Sequence, residues 1–206
     1  MITKLKNILN KSEYWTEIRY HHRQKTSIEV KNGEVNRVED STLAGVGIRC
    51  LVDGCWGFAA TADMSEKALE KAVKEATTAA KVGSSLRKNK IERIAEGEMA
   101  QGDYVYTDEN DDVELKEKIN LFLEAEEFIR AKNDIISGVV NYSKYNDKKI
   151  ILNSNGAEAT IKDIKHDIGV ISIGNNGSSQ EIGSVSAGVT GGWSDLFADK
   201  SLMDMV

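Results

Sequence analysis

The 206-residue sequence has no proline and only two cysteines, Cys50 and Cys55. Average usage would give about ten prolines in this length, and nothing in the sequence accounts for their absence. The Asp53-Gly54 pair between the cysteines is typical of a two-residue hairpin turn. That turn would place Val52 opposite Cys55 and Cys50 opposite Gly57, so the two thiols would lie diagonally at about 7–8 Å. This separation is too long for an unstrained disulfide, so we expect two reduced, structural cysteines.

The sequence also lacks an excess of basic residues and any long apolar run. Acidic residues number 33 against 27 basic ones, a formal net charge of -6, which is the wrong sign for holding a phosphate backbone. The longest apolar stretches, such as 168–173, fall far below the roughly 20 residues of a membrane helix, and no secretory signal pattern is present. We therefore expect a cytoplasmic protein with no nucleic-acid partner and no membrane partner.

Histidine is scarce as well, with three in the chain. A zinc peptidase commonly places two histidines one helical turn apart with a glutamate base, and no such pairing occurs. His21 and His22 are adjacent on a predicted strand and point to opposite faces, while His166 is interpreted as part of a solvated strand end. The acidic residues Asp108, Glu109, Asp111 and Asp112 lack the glycine and terminal glutamate of a calcium loop. The sequence therefore predicts no catalytic residue and no metal ligand.

What the sequence does contain is a pair of strong hairpin signals. Residues 15–63 alternate like strands, with Asn32-Gly33 and Asp53-Gly54 as the two turns, and two adjacent hairpins predict an antiparallel sheet. In the strand between the turns, alternate residues define two faces. The face predicted to lie in the core is Ala44, Val46, Ile48, Cys50 and Val52, and the other is Leu43, Gly45, Gly47, Arg49 and Leu51.

Apolar residues at helical spacing predict a short helix at the start of the chain and two long amphipathic helices further on. Asp63 and Glu66 form a capping-box pattern for the first long helix, which we expect to end near Gly83. The second follows the acidic residues 111–114 and runs to about Lys132. Both long helices are expected to pack on the sheet.

Beyond Asp134 the chain returns to strand patterns, with turns predicted at Asn146-Asp147, Asn155-Gly156 and 174–177. The order of elements lacks the regular alternation that builds parallel sheets, so the predicted fold class is α+β. We expect an antiparallel β-sheet built from hairpins with two long amphipathic helices packed on it, followed by a second set of antiparallel strands. The chain is divided into a first domain at 1–110, a middle region at 111–198 and the start of a helix at 199–206.

Arg49 is the candidate for binding. Its neighbours Gly45 and Gly47 leave a lane of bare backbone on the outer face, and Trp56 and Phe58 flank it across the hairpin. A charged group beside bare backbone is suited to hold a peptide or a partner. The alternative is that Arg49 stacks on Phe58 and that the glycines only relieve crowding. The predicted peptide- or partner-binding residues are Arg49, Trp56 and Phe58.

Three segments in this order resemble the first domain of the TldD/PmbA family of zinc metallopeptidases, also called modulators of DNA gyrase: VKNGEV at 30–35, GVGIRCLVDGCWGFA at 45–59, and DMSE at 63–66 before an alanine-rich helix. The later NSNG at 153–156 and GGW at 191–193 are similar to that family too. The resemblance covers most of residues 13–198 and is closer to the TldD branch than to PmbA.

The resemblance implies a cytoplasmic, dimeric subunit that degrades or matures unfolded peptides. In that family a His-Glu-x-x-x-His helix and a later cysteine hold zinc, and no position of this sequence matches them. The likeness is therefore to the amino-terminal half only, zinc is expected only in the missing carboxyl-terminal half, and this chain alone is predicted to be inactive in proteolysis. Residues from Ser201 begin an apolar pattern that does not finish, which a truncation, a split gene or a fragment would each explain.

Two hypotheses for function follow. In the first, the chain is the scaffold that builds a wall of a peptide-holding chamber and part of a dimer interface, and the carboxyl-terminal half supplies the zinc chemistry. In the second, it is a stand-alone, non-catalytic binding or assembly module that associates with a full-length TldD/PmbA subunit. Exposed strand edges could accept an extended peptide in either case.

Overall fold

Two tight turns, Asn32-Gly33 and Asp53-Gly54, set the first part of the sheet. All four residues have positive φ, at 52° and 81° in the first turn and 47° and 73° in the second, which Asn-Gly and Asp-Gly pairs adopt readily in type I′ hairpin turns. They separate strands β1 (Trp15–Lys31), β2 (Glu34–Val52) and β3 (Cys55–Thr61). In the antiparallel β2–β3 pair, Val52 lies opposite Cys55 and Cys50 opposite Gly57, which confirms the predicted register.

The structure, a computed structural model, describes residues 1–94, 97–106 and 110–206. The helices are α1 (Ile2–Asn10), α2 (Glu66–Leu86), α3 (Leu115–Arg130), α4 (Trp193–Leu196) and α5 (Leu202–Met205), and the later strands are β4 (Gln101–Tyr106), β5 (Ile135–Asn153), β6 (Glu158–Asn175) and β7 (Gln180–Thr190). Over these described ranges, seven strands form one sheet in the order β3-β2-β1-β5-β6-β4, with β7 paired to β6. The fold is α+β with a mostly antiparallel sheet. No helix in the described ranges has the length and apolar character to cross a membrane.

The chain divides into two compact units whose segments alternate in sequence. Unit 1 comprises Met1–Arg23, Leu43–Val105 and Asp147–Lys162, and unit 2 comprises Gln24–Thr42, Tyr106–Asn146 and Asp163–Val206. Each of the long strands β1, β2, β5 and β6 contributes residues to both units. The division of the sequence at residue 110 stays a prediction.

In unit 1, the core joins the sheet to helices α1 and α2. Its buried residues include Leu5, Ile18, Val46, Ile48, Cys50, Leu69, Ala72, Ala76 and Leu152. The inward face of β2 is the predicted one, and both cysteines are buried and free, as expected. Helix α2 lies so close to β3 that a Cβ on Gly57 would overlap the carbonyl oxygen of Ala76. Glycine is therefore required at residue 57 by packing.

Helix α2 begins later than the capping-box pattern indicated. Ser65 is the N-cap, and its hydroxyl accepts a hydrogen bond from the amide of Ala68 at 3.2 Å. Asp63 instead accepts a hydrogen bond from the amide of Ser65 at 2.8 Å, so it stabilises the turn that precedes the helix. The prediction of Asp63 as the cap was wrong because aspartate and serine are both strong caps and sequence alone does not rank them.

In unit 2, the core joins α3 to the sheet and to the last two helices. Its buried residues include Ile28, Val30, Phe122, Ala125, Ile129, Val140, Tyr142, Ile168 and Leu202. Glu126 on α3 is fully buried and accepts a hydrogen bond from the amide of Gly33 at 2.8 Å. A buried carboxylate needs such partners, and this one fastens α3 to the turn between β1 and β2.

The turn predicted at Asn146-Asp147 does not form, because β5 runs without interruption from Ile135 to Asn153. The carboxylate of Asp147 has no exposed surface and receives hydrogen bonds from Arg23 and His21 on β1. Those partners satisfy Asp147 inside a strand, so its usual preference for turns is overridden.

Candidate functional site

The outer face of unit 1 carries the candidate site, on the side of β2 that turns away from the core. Side chains alternate along β2, so the inward Ile48 leaves Gly47 and Arg49 facing outward. Across the β2–β3 pair, Gly47 lies opposite Ala60 and Arg49 opposite Phe58. These residues and two from β1 line an open cavity of about 560 Å³. We call it the Arg49 groove and define it by Glu17, Arg19, Gly47, Arg49, Phe58 and Ala60.

A buried carboxylate organises the charged side of the Arg49 groove. Glu17 is 5% exposed, and its two oxygens accept hydrogen bonds from different arginines. The Nε of Arg19 donates to Oε1 at 2.6 Å, and Nη2 of Arg49 donates to Oε2 at 2.9 Å. Because charge-assisted hydrogen bonds in a partly buried setting are strong, Glu17 fixes the position of both guanidinium groups.

Two tryptophans pack against the guanidinium of Arg49. Its central carbon lies 4.9 Å from the ring centroid of Trp56 and 5.7 Å from that of Trp15. The two rings meet edge to face at 5.2 Å, and Trp15 is itself anchored by a 3.0 Å hydrogen bond from its Nε1 to Asn155. Cation–π contacts of this kind stabilise the guanidinium of Arg49 beside the two rings.

The groove continues along the sheet into a second open cavity of about 440 Å³. The two cavities share Arg19, Gly47 and Ala60, and the second adds Leu43 and Gly45. A Cβ placed on Gly47 would meet no atom within 4 Å, so the floor is open above the backbone. The exposed apolar side chains are Phe58, at 66%, in the first cavity and Leu43, at 72%, in the second.

The predicted binding residues are thus found in one neighbourhood. Arg49 and Trp56 are in contact, and Phe58 lies beside Arg49 across the strand pair, although the ring that covers the guanidinium is that of Trp56. Sequence reasoning missed Glu17 and Arg19. Their alternation on β1 was the available signal, but which residue of β1 lies beside Arg49 depends on the pairing of β1 with β2.

A second polar group lies further along β1 in unit 1. Burial alone would raise the pKa of Asp147, but hydrogen bonds from Arg23 and His21 outweigh it and hold that pKa well below its usual range. Asp147 accepts two hydrogen bonds from Arg23, both at 2.7 Å, and one contact with His21 Nε2 at 2.9 Å. This group is a buried ion pair between neighbouring strands, and its role is to stabilise the sheet.

In unit 2, the prediction that His166 lies at a solvated strand end is wrong, because only 1% of the residue is exposed. Its Nδ1 lies 2.7 Å from the hydroxyl of Tyr142, and the ring of Trp193 covers it edge to face at 6.2 Å. Burial lowers the pKa of His166 to about 4 and raises the pKa of Tyr142 far above its usual range. The hydroxyl therefore keeps its proton and shares a hydrogen bond with a neutral imidazole.

Acidic residues near the start of α3 also have structural partners. Burial would raise the pKa of Asp112, but hydrogen bonds from Lys118 and Lys144 lower it overall. Asp112 lies 2.5 Å from the ammonium group of Lys118 and 2.6 Å from that of Lys144. Asp111 accepts a hydrogen bond from the hydroxyl of Ser194 at 2.5 Å. Asp108 and Glu109, from the same acidic run, lie outside the described residues.

Metal ligands do not converge in the part of the chain that the structure describes. Within residues 1–94, 97–106 and 110–206, no group of three or more His, Cys, Asp or Glu side chains could hold an ion. A zinc site needs three or four such ligands at about 2.0–2.3 Å. The described residues therefore do not fit zinc, and no chemical step is assigned to a metal here.

Comparison with known proteins places this chain in a class of metallopeptidases. The model of PmbA/TldA metallopeptidase domain 1 matches residues 16–80, and that of the PmbA/TldA metallopeptidase central domain matches residues 108–206. The chain belongs to the PmbA/TldD metallopeptidase family.

Two archaeal relatives are described as metalloproteases. Metalloprotease MJ0996 of Methanocaldococcus jannaschii is 24% identical in an alignment of 166 residues that covers 76% of this chain and 34% of that protein. A metalloprotease of Methanothermobacter thermautotrophicus is 27% identical over 194 residues, 93% of this chain and 41% of that protein. The chain therefore spans less than half the length of these relatives.

Solved structures show the same fold. A Bacteroides thetaiotaomicron protein that carries the name of a modulator of DNA gyrase superposes with a TM-score of 0.78 at 18% identity, over 98% of this chain and 47% of its own. TldE from Thermococcus kodakarensis superposes with a TM-score of 0.69 at 13% identity, over 98% of this chain and 45% of its own. At these identities the likeness concerns the fold alone.

Proposed function

We propose that this chain is the amino-terminal scaffold of a PmbA/TldD-type metallopeptidase, which holds unfolded peptide on its surface and contributes to a dimer interface. In this proposal a carboxyl-terminal half, not included in these residues, carries zinc and performs hydrolysis. The family membership and the lack of converging metal ligands among the described residues both support this division of roles.

The observation that carries the proposal is the Arg49 groove. An open lane of about 560 Å³ has a backbone floor at Gly47, an exposed aromatic side chain at Phe58 and fixed donors at Arg49. Sites that bind peptides combine apolar surface with a few oriented polar groups, and rigid strands position those groups better than loops do. The groove has both properties, so it is assigned as the peptide-holding surface.

A substitution that fills the groove tests this assignment. Gly47→Leu adds a side chain where a Cβ meets no atom within 4 Å, so we expect folding to be kept and binding of an unfolded, labelled peptide to fall at least tenfold in fluorescence anisotropy. Gly169→Leu is the matched control, because a Cβ on Gly169 in unit 2 also meets no atom within 4 Å. Equal loss in both variants, or no loss in either, would contradict the assignment.

The role as a scaffold is tested by complementation. The purified chain is mixed with a family carboxyl-terminal half that carries the His-Glu-x-x-x-His helix, and peptide cleavage is followed with and without a chelator. We expect cleavage only in the mixture and only without chelator. Binding to a complete family subunit, with no change in cleavage, would instead support the stand-alone assembly module.

A further inference from the structure

The Arg49 groove has a local excess of positive charge on a protein whose formal net charge is -6. Two guanidinium groups, those of Arg19 and Arg49, share the single carboxylate of Glu17. Among the residues that the structure describes, Glu17 is the only acidic one that lines the cavity. The lining of the groove therefore carries a net charge of about +1 by side-chain type, and this sign is opposite to that of the whole chain.

Hydrogen-bond donors remain available on both arginines. A guanidinium has five N–H donors in a planar fork, and each arginine makes one hydrogen bond to Glu17. The side chain of Arg49 is 36% exposed, although its Nε is buried. The side chain of Arg19 is 60% exposed. A carboxylate is the acceptor that such forks bind best, by paired, charge-assisted hydrogen bonds.

The groove also has the shape for a chain that passes through it. The first cavity continues into the second one through Arg19, Gly47 and Ala60, so an extended segment can enter at one end and leave at the other. A peptide terminus would occupy only part of this length. The geometry therefore favours a carboxylate on an internal side chain over a terminal carboxylate.

We infer that the Arg49 groove binds an extended peptide through an internal aspartate or glutamate, whose carboxylate pairs with Arg19 and Arg49 while an apolar side chain contacts Phe58. In an extended peptide, residues two apart point to the same side and are about 7 Å apart. The two contacts lie on one face of the sheet, because Phe58 lies directly across the strand pair from Arg49. The inference rests on the proposed peptide-holding function and adds a preference for acidic segments.

Two rhodamine-labelled peptides, both with amidated carboxyl termini, test the preference. One has a central Leu-Ser-Glu-Ser-Leu sequence and the other has Gln in place of Glu. Fluorescence anisotropy with the full 206-residue chain should give a Kd for the Glu peptide that is on the order of tenfold lower. Arg19→Gln should bring the two Kd values together. Arg37→Gln, an exposed arginine of unit 2 with a distant 3.9 Å partner in Glu29, should leave the ratio unchanged.

The outcomes separate the two proposals. Equal Kd values for the Glu and Gln peptides on the wild-type chain would refute the acidic preference and leave the peptide-holding function intact. Failure of both peptides to bind would refute both. A Gln peptide with a free carboxyl terminus that binds better than the amidated Glu peptide would also overturn the inference. The urea midpoint of Arg19→Gln is measured as a control for folding. We expect it to be unchanged while the preference for the Glu peptide is lost.

Discussion

Gly57→Ala tests how tightly helix α2 is seated on the sheet whose opposite face forms the Arg49 groove. A Cβ at residue 57 would overlap the carbonyl oxygen of Ala76 and lie 2.5 Å from the amide nitrogen of Ala80. Ordinary non-bonded contacts lie at about 3.5–4.0 Å, so α2 must move away by roughly 1.5 Å. Both contacted atoms belong to the helix backbone, and no side-chain rotation relieves the overlap.

The loss of stability can be worked out from the gap that this movement opens between α2 and the sheet. A gap of roughly 0.5–1 Å removes a quarter to a half of the contact energy of the atoms that face it. The apolar side of α2, which includes Leu69, Ala72 and Ala76, loses contact together because all three are buried in the unit 1 core. Overpacked substitutions cost about 1–3 kcal/mol, and a rigid backbone neighbour places this one near the upper end, at about 3 kcal/mol.

Urea denaturation followed by circular dichroism at 222 nm measures this loss, with the slope of the transition checked for two-state behaviour. Gly47→Ala is the matched control in the neighbouring strand, because its Cβ meets no atom within 4 Å. We expect the control to be neutral or more stable by roughly 0.5 kcal/mol, since glycine is unfavourable in a strand. A loss below about 1 kcal/mol in Gly57→Ala would refute the close seating of α2.

Two other predictions concern unit 2. Because the folded pKa of His166 is lowered from 6.5 to about 4, its neutral form stabilises the fold above pH 6.5, and this stability is lost as pH falls towards 4. The charged groups around His166 are Asp112, Lys144, Lys118 and Asp111. Over that pH interval, the free energy of unfolding of the wild type, measured by urea denaturation, should fall by about 3 kcal/mol more than that of His166→Asn. Parallel pH curves for the two proteins would show that His166 titrates normally. In Gly138→Ala the new Cβ would lie 2.7 Å from Glu126 Oε1, so the free energy of unfolding in urea should fall by about 1–3 kcal/mol. Stability equal to that of Gly169→Ala would contradict this.

Much of the candidate site followed from the local pattern of one hairpin. The Asp53-Gly54 turn fixed the pairing of β2 with β3, so Arg49, Trp56 and Phe58 could be placed on one face from sequence alone. The charged groups that position Arg49 on this face could not be predicted from the sequence. Glu17 lies 32 residues from Arg49, and its role depends on which residues of β1 and β2 lie side by side, which no local pattern reports.

The buried polar residues show the same limit. His166 reads as solvated between charged neighbours, yet Tyr142 and Trp193 enclose it from other parts of unit 2. Asp147 reads as a turn residue, yet Arg23, 124 residues away, satisfies its carboxylate within a strand. In both cases the free energy of burying a polar group is offset by partners distant in sequence.

The sequence by itself determined the two hairpin turns, the inward face of β2, the reduced cysteines and the family, because turn dihedral angles and side-chain alternation are properties of adjacent residues. Only the tertiary structure decided which carboxylate positions Arg49, where an open groove lies and which histidine is buried. These depend on contacts between residues far apart in the chain, and their energies arise only when the whole sheet has assembled.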